Sequence, residues 1–171
     1  MEAWLVRMRL GSLKAFISAL AGEPDGRDRS EKHACQVAIA ALLIRSGSID
    51  GAISRARRDK LRAVLKSYFN LDDPGIDRLV EEATGAAADA VDLYHFTRRI
   101  THVLDEDGRR RIVEMMWDVI YADHRGVSPL ESNMVWRVAD LLGVPSRQRI
   151  ESRRLASERA SPTWVCGLSE R

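Results

Sequence analysis

The sequence is short of almost everything that staples or interrupts a chain. Its two cysteines, Cys35 and Cys166, stand far apart with no CxxC and no adjacent histidine pair. That spacing excludes a thioredoxin-like site and a structural zinc site, and free thiols in a reducing compartment are expected. Only 5 prolines and 11 glycines leave little room for a loop-rich chain. No window approaches the roughly 18 uncharged apolar residues of a transmembrane helix. The apolar stretch before Ala19-Leu20-Ala21 carries Arg7, Arg9 and Lys14, which a secretory core does not tolerate, so a cytoplasmic protein is expected. No useful segment alternates apolar and polar residues, so strands are not expected. GxSxG, HExxH and phosphate-loop motifs are missing, and no enzyme is expected.

What is present is helical periodicity over 171 residues, 45% hydrophobic and 30% charged, enough for one core without disulfide or metal. The net charge of +2 is mostly a tail property, because Pro145 to Arg171 holds six arginines against three glutamates. A first helix, about Glu2 to Leu20, gathers Trp4, Leu5, Met8, Phe16 and Ile17 on one face with arginines opposite. That pattern suits a docked core helix, or peripheral contact with an anionic membrane. Ser30 is read as the N-cap of a second helix ending at Ser46-Gly47-Ser48. A third opens near Ser54 and runs to Asn70, and a fourth follows Asp72-Asp73-Pro74, with a kink or break expected at Gly85. A fifth starts from Asp89, a sixth follows Asp105 and ends at Asp123, and a seventh runs from Ser128 to Gly143. An eighth, weakly amphipathic, starts at Ser146. The expected layout is an N-terminal amphipathic helix and linker over 1–28, a helical domain over 29–159 and a disordered tail over 160–171. The expected fold is an all-α, single-domain helical bundle of about seven or eight helices, with short loops between antiparallel neighbours.

Two halves of this pattern repeat. Each has an apolar helix, an aspartate at its end, a glycine-containing turn, a serine and a further apolar helix. Asp50 to Asp123 is 73 positions and Ser54 to Ser128 is 74, while Ala56, Leu61, Val64 and Tyr68 fall on Leu130, Val135, Val138 and Leu142 at the later offset. A duplicated helical hairpin accounts for this.

The second corner, Tyr121-Ala122-Asp123 through Ser128 to Glu131, resembles the repeated corner of the tellurite-resistance TerB-like family. The segments Val91 to Thr97 and Trp117 to Tyr121 resemble its bacterial branch. The resemblance covers about Ser30 to Arg153. It implies two pseudo-two-fold related helical hairpins, a link to metal or stress responses, corner carboxylates acting as metal ligands, and no established enzymatic activity. Two departures matter. Where an acid is expected seven residues after Asp50, Arg57 stands instead, and His124-Arg125-Gly126 lengthens the second corner so that Asp123 and Glu131 are eight apart.

Asp123 and Glu131 are therefore the candidate ligands for a divalent cation such as Ca²⁺ or Mg²⁺, both of which take oxygen donors. Against this stands a structural role, because Ser128-Pro129-Leu130-Glu131 reads as a capping box with proline at N1. Asp50 and Ser128 are corner residues, and Asp92 is read as the anchor of a helix end. Asp92, His95, Arg99 and His102 share one helix side, but the histidines lie two turns, about 10 Å, apart and cannot share an ion. Arg55, Arg58, Arg62 and Lys66 form a basic stripe that could meet phosphate or an acidic surface. It lacks interleaved aromatics for base stacking. Trp117, Tyr121 and Trp136 read as packing residues. The leading expectation is a non-enzymatic module of the stress or tellurite response that works through an unidentified protein partner, with a weakly held divalent ion. The alternative is an anion- or nucleic-acid-binding protein using the basic stripe.

Overall fold

The structure, a computed structural model, describes residues 26–90 and 92–161. The expected helix over Glu2 to Leu20, the residues after Ser161 and Val91 lie outside the described residues. Within them the chain forms seven α-helices, one 3₁₀ turn and no strand: α1 (Gly26–Ser48), α2 (Arg55–Phe69), α3 (Asp73–Asp89), α4 (Tyr94–Val103), α5 (Glu106–Ile120), the 3₁₀ turn (Tyr121–Asp123), α6 (Pro129–Leu141) and α7 (Ser146–Ala160). The all-α bundle read from the periodicity is the fold observed.

Most boundaries sit where cap chemistry puts them. Ser54 accepts from the Arg57 amide and Asn70 ends α2 in the left-handed region. Asp72 accepts from the Gly75 amide at 2.8 Å and Asp105 from that of Gly108 at 2.8 Å, satisfying donors that a helix start otherwise leaves open. Gly143 adopts φ +68, a conformation a side chain would strain, which lets Val144 N–H return to the Ala139 carbonyl at 2.9 Å.

Three expectations are corrected. Helix α1, described from Gly26, already runs through Ser30, which lies inside the helix rather than capping it, and Lys32 lies 3.8 Å from Asp28 one turn back. Helix α3 passes through Gly85 without a break. Nothing packs against that glycine, and one exposed glycine among alanines costs only about 1 kcal/mol. Helix α4 starts at Tyr94 rather than Asp89 because Ala90 is extended.

The two central helices are α1 and α5. Helix α1 packs against α3, α4 and α5, and α5 against α1, α2, α6 and α7. Ile112 through Ile120 are all buried, as are Val37 through Leu43, so neither helix presents the one-sided stripe of a surface helix. These helices precede the two corners, so the duplicated halves meet along the middle of the molecule with both corners at one end.

Candidate functional site

Each corner is built the same way up to its last step. At the first, α1 ends at Ser48 and Ser54 caps α2. At the second, α5 passes into the 3₁₀ turn, His124 takes φ 56 to reverse the chain, and Ser128 caps α6. The expected capping box is present: Ser128 Oγ accepts from Glu131 N–H at 3.1 Å, and Glu131 Oε2 accepts from Ser128 N–H at 2.8 Å. Arg57 and Glu131 both occupy the third position of their helices, 74 residues apart.

The tertiary fold brings these two third positions together. Arg57 Nη1 donates to Glu131 Oε1 and, at 3.3 Å, to the Gly47 carbonyl in the last turn of α1. Arg57 Nε lies 2.9 Å from Asp123 Oδ2. Its N–H points off that oxygen and has no aligned acceptor, so this contact is Coulombic rather than a directed hydrogen bond. Ser54 Oγ donates to Asp123 Oδ2 at 3.2 Å, and Arg125 N–H reaches Asp123 Oδ1 at 3.3 Å. Arg57 is 7% exposed and Glu131 1%, so the charges are shielded from water and strongly dependent on one another.

The candidate ligands Asp123 and Glu131 thus do converge, but on a guanidinium. A divalent ion does not fit this donor set. All four carboxylate oxygens already face N–H, O–H or guanidinium groups, and Ca²⁺ would need about six to eight oxygens free to turn inward. Among the described residues no three of His, Cys, Asp and Glu are grouped as metal ligands. Asp50 is exposed and does not join the site. The signal that could have found Arg57 in the sequence was the repeat itself, which sets opposite charges at equivalent positions.

The other expected residues lie elsewhere. Asp92 accepts from His95 N–H at 3.2 Å at the start of α4. His95, Arg99 and His102 are exposed. The basic stripe is largely matched by acids: Arg55 lies 3.8 Å from Asp59, Arg62 meets Asp77 at 2.5 Å, and Lys66 pairs with Asp73. The Lys66 ammonium holds the Asp73 carboxyl below its ordinary range. Arg58 is exposed and forms no ion pair among the described residues. Cys35 is buried, and burial pushes its thiol from 9.0 to about 11, the reverse of what a nucleophile needs. Burial, with Cys35 close by, raises the Tyr68 hydroxyl to about 12. Trp117 is buried under the Arg153 guanidinium, 5.1 Å from the ring, and Trp136 lies below that of Arg149 at 5.8 Å. Arg153 Nε also donates to the Tyr121 hydroxyl at 3.3 Å.

Two shallow clefts flank the corner, and the repeat relates them. One, about 440 Å³, is lined by Ala56, Asp59, Lys60, Ala63, Asp118 and Ala122, with Ala156 and Arg159 of α7 along one side. The other, about 260 Å³, is lined at the equivalent positions by Leu130, Asn133, Met134, Arg137, Arg45 and Ile49, with Asp92 and Leu93 at its side. In the first, Arg159 covers Asp118 with contacts of 2.7 and 3.1 Å. In the second, Arg45 stands where Asp118 stands and donates to the Ala90 carbonyl at 2.9 Å, while Leu130 remains 59% exposed and Ile49 39%. The two clefts therefore differ in the sign of the central charge and in the exposed apolar side chains at the rim of the second.

Comparison with known families matches a model described as tellurite resistance protein TerB to residues 36–154, more than half of the chain and inclusive of both corners. No curated protein and no solved structure gave a match.

Proposed function

We propose, from the premise that this chain belongs to the TerB tellurite-resistance family, that it is a non-enzymatic helical module of a metal or stress response that works by binding another protein. The observation that carries this reading is the cleft at Ile49, Leu93, Leu130 and Met134. Its repeat-related counterpart is walled on one side by α7, whose Arg159 pairs with Asp118, whereas here Leu130 and Ile49 face solvent and no helix among the described residues supplies such a cation partner. Exposed apolar side chains grouped in a concavity and edged by polar ones mark a contact surface more often than singly scattered ones do. The matching occupant is an apolar helix carrying a carboxylate where α7 carries Arg159, because Arg45 replaces Asp118 and Arg137 adds a second cation, against the single acid Asp92.

The basic-stripe alternative has less support, since three of its four cations already meet carboxylates. The test is crosslinking and capture of the tagged protein from its own cells, with wild type, Leu130→Asp and Ala56→Asp compared. A partner held by wild type and Ala56→Asp but lost from Leu130→Asp, with all three folded alike, is the expected result. Identical partner sets for wild type and Leu130→Asp would refute the reading.

A further inference from the structure

We propose that Arg57 is a built-in counter-ion: its guanidinium stands where a divalent cation would otherwise neutralise Asp123 and Glu131, and it joins the two halves of the molecule without an ion. Local helix chemistry gives no reason for an arginine here. At the third position of α2 it cannot close a capping box with Ser54, as Glu131 does with Ser128, and a cation in a first turn opposes the helix dipole. Its reason lies across the fold. Arg57 Nη1 reaches the Gly47 carbonyl at the C-terminal end of α1, where a cation is favoured, as well as Glu131 from the other repeat.

The charge balance agrees. One guanidinium against two carboxylates leaves one negative charge over. Both acids, however, sit at helix starts, Asp123 on the Ser54 cap of α2 and Glu131 in the first turn of α6, where the partial positive ends of the two helices supply the remainder. A divalent ion added to this arrangement would meet a buried cation and no free oxygen. With Arg57 removed, the same two carboxylates would face each other with their counter-charge gone, and an external cation becomes the cheapest neutraliser. Arg57 thus converts a corner of the ion-binding kind into an ion-independent one.

The experiment measures Tm for the full chain in EDTA and in millimolar Ca²⁺ or Mg²⁺. Wild type should melt at the same temperature throughout. Arg57→Gln should melt roughly 10 °C lower in EDTA and recover part of that loss with Ca²⁺ or Mg²⁺, a recovery abolished by adding Glu131→Gln. Arg57→Lys, which keeps the charge but not the fork, should fold with an intermediate Tm and no ion response. Calorimetric titration of wild type with Ca²⁺ stays informative even where Arg57→Gln does not fold: no uptake is expected. Stoichiometric uptake abolished by Glu131→Gln would overturn the proposal, as would a folded Arg57→Gln variant indifferent to both ions.

Discussion

The two corners of this protein start from the same plan and end in opposite conditions. Asp50 is exposed at the first, whereas the Asp123 side chain at the second is 8% exposed and set against Arg57. The third helical position is Arg57 on one side and Glu131 on the other. Of these differences, the sign of the side chain at the third position is the one that lets the halves bind each other. Two glutamates at these positions would meet as like charges and require an outside cation, whereas an arginine and a glutamate satisfy one another. A repeat thereby becomes an internal interface once its copies cease to be identical.

The comparison breaks most visibly at Glu131. Glu131→Ala leaves a buried guanidinium without its partner and opens the α6 cap, and a loss of about 3–5 kcal/mol is expected in urea unfolding. Asp50→Ala, at the formally equivalent corner, should stay within about 0.5 kcal/mol. Comparable losses for the two would mean that the corners are not as unequal as their burial indicates. A smaller difference separates the caps. Ser54→Ala and Ser128→Ala should each cost about 1 kcal/mol, with Ser54→Ala the greater, because its hydroxyl also donates to Asp123. The reverse order would place the weight of the corner on the capping box.

The third contrast concerns pH. Tyr68 falls on Leu142 in the repeat, so only the first half carries a titratable group there. Cys35 and Tyr68 both ionise at higher pH in the folded chain than outside it, to about 11 and about 12, through burial first. Their contribution to stability is complete below the ordinary thiol value near 9.0 and is lost as pH rises through the folded values. Unfolding free energy measured across pH 9 to 12 should therefore decline, and Cys35→Ala with Tyr68→Phe should flatten the decline. An unchanged slope in that double variant would assign the alkaline loss to other groups. For the same reason, a thiol reagent at about pH 8 should modify Cys35 only slowly until denaturant is added.

Much of the architecture was legible along the chain. The helix starts near Ser54, Asp72, Asp105 and Ser128 rest on local chemistry, completed within three residues, so placing them required no fold. The misread positions were those where a single residue's preference is too small to set a helix boundary. Gly85 looked like a break because glycine weakens helices, yet α3 carries it, and Ala90 rather than Asp89 separates α3 from α4. The candidate site was half legible. Asp123 and Glu131 were found and do converge, but the side chain between them sits on another helix, 74 positions away from Glu131.

By itself the sequence determined the helical class, most helix ends, the duplication and the family corner, because each depends on residues within one or two turns or on a regular spacing. Only the tertiary structure decided what the corner carboxylates face. A charge at the third position of a helix has the same local surroundings whether it points to solvent, to an ion or to its repeat-related counterpart. Which of these it meets depends on how α1 and α5 bring the two halves together, and that packing placed a guanidinium between Asp123 and Glu131.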